Sequence, residues 1–363
     1  MISHSRPWLT EEDAQEAHAC VMSGWVKEGT RTRDLERTVA THYDAAGALA
    51  TTGARHAMHI ALRCWFPDGG ARVAVPTYVC RAVYDAVVMA DCQPVLLDIS
   101  PTDFSLDVDA FRRAHALDPL EAAILPDMFG IRAPIEEFRK TPGVKVLQDS
   151  AMRVVAADTA RAELPPDAMV LSFEATKPVV AGEGGMLVSH DGDLIAHARD
   201  LRNGRYTSPR TAWFLPLTDL QSSLVASQWR RIPEMIRLRR LVQDHYVQQI
   251  QRICAAHIVR SVCDAAFPFR FLLRVDDVER FIDMAEGLGV VIRRPIAPYP
   301  LHRLFRAEGA FPVADRAHAT LVSAPVYPGM SQEETERVGS VLRDCLEADI
   351  AHQGNTDAGP SGR

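Results

Sequence analysis

Residues 144–185 hold an acid and an amine at positions suited to carbanion chemistry. An apolar strand ends in Asp149, and a second, Ala168 to Phe173, runs into a loop carrying Lys177 and then the turn Gly182-Glu183-Gly184-Gly185. In open α/β sheets ligands bind outside the carboxyl ends of the strands. A lysine and a carboxylate placed there are what pyridoxal 5'-phosphate (PLP) needs: a Schiff-base amine for its aldehyde, and an acid to keep its pyridine nitrogen protonated. Either residue alone is more often structural, because an Asp after a strand commonly caps a helix and a loop Lys is commonly a solvated charge.

The flanking residues narrow the choice. Gln148-Asp149-Ser150-Ala151 and Ser172-Phe173-Glu174-Ala175-Thr176-Lys177, followed by Gly182-Glu183-Gly184-Gly185, resemble the E-D-A-A-Q and S-F-x-x-x-K…G-E-G-G motifs of the DegT/DnrJ/EryC1/StrS aminotransferases. The resemblance runs from about residue 3 to about residue 346. It implies PLP as cofactor and the fold type I architecture: a mostly parallel seven-stranded sheet with helices on both faces, plus a smaller C-terminal α/β domain. It implies Lys177 and Asp149 as catalytic residues, and Ser172 as a phosphate ligand. The family's S-G-T or S-G-R turn aligns with Gly53-Ala54-Arg55. A helix starting there offers unpaired amides and a positive dipole end to the phosphate, with the Arg55 side chain as an added donor.

Several positions depart from the family pattern. Cys80 stands where an aromatic residue usually stacks on the pyridine ring, leaving Tyr78 or Tyr84 as substitutes. Asp127, in Asp127-Met128-Phe129-Gly130, replaces the His of H-L-Y-G, and Met152 replaces a Gln beside the cofactor. Phe214 and Pro216 replace the Asn and Arg of N-Y-R-M-T-D-L-Q, whose Asn reaches the neighbouring subunit's phosphate. Arg205, Tyr206 or Arg210 is then left for that role. His302 matches the last His of the family's substrate-bordering loop. Tyr78, Asp127, Arg205 and His302 are therefore candidate substrate contacts, and Arg81, Arg153, Arg293 and Arg294 are unranked candidates for a donor carboxylate. Some relatives that dehydrate carry His in place of the lysine, so Lys177 favours transamination. A PLP enzyme using the same carbanion for dehydration or cyclisation is the alternative; a cofactor-free binding or regulatory protein is a third reading. The resemblance also implies a homodimer with shared sites, to which Trp25–Gly29 and 205–216 contribute from the partner.

The elements that must position these residues follow from pattern. A short strand turns into a long helix within Leu49–Leu62, and strands at Arg72–Pro76, Pro94–Asp98 and Ala122–Leu125 alternate with helices near 81–91 and 107–116, the signature of a mostly parallel sheet. Thr10 followed by three acids predicts a helix to about Ser23. Thr218-Asp219 predicts another to about Ile232, broken by Pro233, and a further helix follows from Glu234. Beyond that, strands at Phe267–Val275 and Val290–Arg294 flank an amphipathic helix at 276–288. The expected division is a large domain over 1–233, a smaller one over 234–350 and a disordered tail over 351–363. A length of 363 residues allows one to three domains. The net charge of −7 argues against a nucleic-acid partner, and the scattered seven Cys suggest reduced thiols and no zinc site. Neither a signal peptide nor a membrane span is legible, so a cytoplasmic enzyme acting on a small-molecule amino donor and a carbonyl acceptor is expected.

Overall fold

The computed structural model describes residues 1–203 and 215–357. Two helices open the chain, α1 (Glu11–Met22) and α2 (Thr30–His42). Strand and helix then alternate: β1 (Gly47–Thr51), α3 (Ala54–Trp65), β2 (Arg72–Pro76), α4 (Arg81–Met89), β3 (Gln93–Leu97), α5 (Val108–Leu117), β4 (Ala122–Pro126), α6 (Ile135–Phe138), β5 (Lys145–Asp149), α7 (Ala157–Ala162), β6 (Ala168–Ser172), β7 (Gly185–Ser189) and α8 (Gly192–Asn203). The later part comprises α9 (Asp219–Trp229), α10 (Ile232–Cys254), α11 (Arg260–Cys263), β8 (Phe271–Arg274), α12 (Val278–Gly287), α13 (Leu301–Phe305), α14 (Pro312–Thr320), β9 (Leu321–Ala324) and α15 (Gln332–Asp357).

The first seven strands form one sheet in the order β1-β7-β6-β5-β4-β2-β3. All are parallel except β7, which runs against β1 and β6. This is the seven-stranded, mostly parallel α/β sheet expected. The strand period of two decides which helices cover which face. Leu49, Val73, Ile124, Leu147, Val170 and Leu187 point into one core with α3 and α4. Their neighbours Ala48, Ala50, Leu171, Met186 and Val188 point into another, with α2, α9 and α10. Both faces are buried, which is why the strands read as continuous apolar runs.

The remaining two strands, β8 and β9, pair antiparallel around a separate core that includes α10, α12 and α15. The N-terminus belongs spatially to this unit: Ile2 bridges Val290, and His4 Nε2 lies 3.0 Å from Ser323 Oγ. Three expectations change here. The strand expected over 267–275 is hydrogen-bonded only from Phe271, because Pro268 has no N–H to give a ladder. The segment 290–294 makes isolated bridges rather than a strand. The last helix runs on to Asp357, into the tail expected to be disordered from residue 351. One glycine, Gly354, weakens but does not stop a helix, and the first proline comes only at Pro360. No described helix is long and apolar enough to cross a membrane.

Candidate active site

Asp149 ends β5, and its carboxylate is buried at the carboxyl edge of the sheet. It accepts one hydrogen bond, from the Ala151 amide at 3.1 Å. Burial raises its pKa from 3.8 to about 6, against the opposing pull of Lys177 and the Ala151 amide, while Asp127 adds to the rise. Lys177 therefore sits within electrostatic reach of Asp149, yet the two make no direct ion pair.

Backbone bonds hold the Lys177 loop. Phe173 N donates to Gly184 O at 2.9 Å, Ala181 N to Phe173 O at 2.8 Å, and Lys177 N to Glu174 O at 2.9 Å. Gly182 and Gly184 take φ of +80° and +146°, which a side chain would strain. Helix α9 clamps the loop from outside. Gln221 Nε2 donates to Glu183 O at 2.9 Å, and Gln228 exchanges two bonds with the Val180 backbone at 2.7 and 2.9 Å. These glutamines are seven residues apart, two turns along one helical face. Gln221 falls within a family motif; Gln228 carried no sequence signal.

A second corner forms at the far end of the sheet edge. Thr51, Gly185 and Ser172 are register partners across β1, β7 and β6. Gly185 presses on the start of α3: a Cβ there would lie 2.3 Å from Ala54 N and 2.5 Å from Gly53 C. Gly53 caps α3 with no side chain, so its first turn faces the corner without a competing oxygen. Helix amides, the Ser172 hydroxyl and a glycine too tightly set to change make a cradle of phosphate type. The Arg55 side chain turns aside to Asp85, 3.7 Å away.

Cys80 is open to solvent, yet protein surrounds its thiol closely enough to raise its pKa by burial, with Lys177 and Asp149 both in its field. It thus lies near both the lysine and the acid. Met152 is half-buried and packs against both main cores.

Other expected contacts are engaged elsewhere. Tyr78 is wholly buried in the core, and its hydroxyl has no partner among the described residues. Tyr84 stacks on Phe305 at 4.0 Å. Neither ring is exposed to take up the stacking role. Asp127 is buried beneath the site, where Gln148 Nε2 (2.8 Å), Ser150 Oγ (2.5 Å) and the Ala133 amide (2.9 Å) consume its oxygens. His302 is also buried, with Nδ1 2.8 Å from Thr77 Oγ1 and Nε2 3.1 Å from Asp315. These bonds tie the start of α13 to the residue after β2 and to α14. Arg205, Tyr206, Arg210 and Phe214 lie outside the described residues.

A lysine within the field of a buried acid, with a helix start on the same sheet edge, is an arrangement suited to a phosphorylated electron-sink cofactor. The chain belongs to the DegT/DnrJ/EryC1/StrS aminotransferase family, whose model matches residues 7–343. It is an enzyme that transfers amino groups. It is 28% identical to the GDP-perosamine synthase of Caulobacter vibrioides, covering 95% of this chain and 98% of that protein. It is 24% identical to the spore coat polysaccharide biosynthesis protein SpsC of Bacillus subtilis, over 95% and 97% of the two. Among solved structures, the aminotransferase TlmJ from Streptoalloteichus hindustanus superposes with a TM-score of 0.85 at 24% identity, covering 96% of this chain and 99% of that one.

Proposed function

We propose that this chain is a PLP-dependent aminotransferase that moves the amino group of an amino-acid donor, glutamate or glutamine, to the carbonyl of a small acceptor such as a keto-sugar or cyclitol. The observation that carries the reading is Lys177 lying within the field of the buried Asp149 at the carboxyl edge of the sheet. The residues fit the cofactor. Asp149 keeps lone pairs free for a cationic ring N–H, and the Gly53–Ala54 turn with Ser172 suits its phosphate. When bound, PLP supplies an electron sink for the α-carbon of the donor. Lys177 holds its aldehyde and is the base placed to move a proton at that α-carbon. Asp149 keeps the ring nitrogen protonated. The α9 glutamines keep the Lys177 loop rigid, so the amine meets the acid in one geometry.

A shared-site homodimer is part of this reading. Val21, Met22, Trp25 and Val26 expose 53, 71, 58 and 45% of their surfaces at the end of α1 and the loop after it. A solvent-facing apolar stripe of that kind is typical of a covered surface. Absorbance spectra with added PLP test the main reading. Yellow Schiff-base colour that bleaches on adding glutamate or glutamine supports it. Colour that neither donor shifts favours a different carbanion reaction, and no colour at all overturns it.

A further inference from the structure

We infer, building on the aminotransferase reading, that Asp127 is a positioning residue for Asp149: a second buried acid that fastens the end of β5 and places negative charge beneath the first. Three positions around Asp149 depart from the motifs that the chain otherwise resembles. Gln148 and Ser150 stand where E-D-A-A-Q has Glu and Ala, and Asp127 stands where H-L-Y-G has His. These three departures meet in space, with Gln148 and Ser150 both bonded to Asp127. The acid of the group has moved from β5 to the residue after β4, and its neighbours have become donors to it.

Asp127 holds three consecutive residues at the end of β5. Gln148 Nε2 donates to its Oδ1 at 3.1 Å and its Oδ2 at 2.8 Å, and Ser150 Oγ donates to Oδ2 at 2.5 Å. Between them, the Asp127 amide donates to Asp149 O at 2.9 Å. The Ala133 amide adds a further donor to Oδ1 at 2.9 Å. Each of these contacts to the carboxylate brings it a hydrogen, the pattern of an ionised acceptor. Asp149 itself accepts only from the Ala151 amide among the described residues. Its orientation is therefore set through the residues on either side of it, and those answer to Asp127.

The counter-charge is placed as well. Arg153 Nη1 lies 3.9 Å from Asp127 Oδ2, while both terminal nitrogens of Arg153 bond Glu163, one of them at 3.0 Å. A buried carboxylate with no cation near it is costly, and Arg153 meets that need. It is shared with Glu163, so Asp127 is neutralised only in part and its field reaches Asp149. Lys177 and Cys80 face Asp149 from the loop after β6 and the start of α4. Arg153 and Tyr43 face Asp127 from the loop after β5 and the end of α2, with Glu163 behind them. Two acids, one behind the other, hold a cationic N–H more firmly than one. A strand end pinned at three residues offers the outer acid in a single geometry.

A double-mutant cycle over positions 127 and 149, read as the Kd for PLP on the full chain, tests this. Asp127→Asn keeps the shape and removes the charge, since Gln148 can turn its amide to suit. It is expected to weaken PLP by about tenfold in the wild-type background and by less than about threefold in the Asp149→Asn background. Equal factors in the two backgrounds, or no weakening in either, overturn the assignment, because a residue that only supports the fold acts regardless of the side chain at 149. Cofactor-free protein supplies a second readout. Asp149 binds its proton more tightly when folded, so the unfolding constant rises between pH 4 and pH 7. Asp149→Asn lowers that rise, and the lowering is expected to be about threefold smaller in the Asp127→Asn background. If Asp127→Asn does not fold, Ser150→Ala enters the same cycle: weakening that depends on Asp149 upholds the inference, and equal factors overturn it. If the wild type takes no colour with PLP, the aminotransferase reading falls by itself. The cofactor-free comparison then decides, with an unchanged lowering overturning the role of Asp127.

Discussion

Asp149 combines a buried position with a deficit of hydrogen bonds, and that combination has a measurable pH signature. Its folded pKa of about 6 lies above the ordinary 3.8, so the folded cofactor-free chain binds the proton more tightly than the unfolded one. The associated stability is present in full below pH 4 and is lost as pH rises through about 6. Asp149→Asn is expected to lack this loss, gaining on the order of 2–3 kcal/mol on the wild type across that window; denaturation of the cofactor-free proteins at pH 4 and 7 measures it. With cofactor present the same substitution is expected to slow the donor half-reaction by about 10²–10⁴-fold while retaining colour. Lys177→Ala is expected to abolish the Schiff-base band, and a surviving band in that variant means another lysine serves. His302 makes the contrasting case. Its bonds to Thr77 and Asp315 predict that His302→Ala costs about 1–3 kcal/mol of stability with KM unchanged; a raised KM with an unaltered melting curve refutes the tether. Asp149 and Lys177 were legible because their neighbours in sequence are also their neighbours in space. The bonds of His302 were not legible because Thr77 is 225 positions away.

At the scale of elements, α9 has more work than its sequence suggested. Thr218 and Gln221 form a capping box at its start, as the Thr218-Asp219 start signal predicts. Asp219 also reaches across to α2, accepting from Gly29 N at 2.8 Å, Thr32 N at 2.9 Å and Thr32 Oγ1 at 2.7 Å. It thus places a negative charge at the positive end of a second helix. Gly29 is fixed by the same contact, since a Cβ there would lie 2.7 Å from Asp219 Oδ2. Asp219→Ala is expected to cost about 2–4 kcal/mol in urea unfolding with an unchanged m-value. A loss below about 0.5 kcal/mol means that water replaces the carboxylate at no cost. Pro233 shows a smaller misreading. It does not end α9, which stops at Trp229; Pro233 sits in the first turn of α10. The first turn tolerates proline because its N–H would have no partner there.

At the scale of the whole molecule, the end of α1 leaves apolar surface uncovered in a single chain. The apolar stripe Val21, Met22, Trp25 and Val26 follows α1, and the loop it enters is anchored to α9 through Asp219. Light scattering is expected to report a dimer. The pair Met22→Asp and Trp25→Asp is expected to shift it toward monomer and to weaken cofactor retention. A fully active monomer contradicts the shared-site arrangement. The sequence alone determined the sheet, the helix starts and the acid–amine pair, because strand period, caps and local motifs act over a few residues. It also identified which positions departed from pattern. Tertiary structure decided which of the many charged and aromatic side chains are already spent. Asp127, Arg153, Arg294 and His302 proved engaged. An ion pair depends on distance and dielectric, and the groups that set both arrive from segments far apart along the chain.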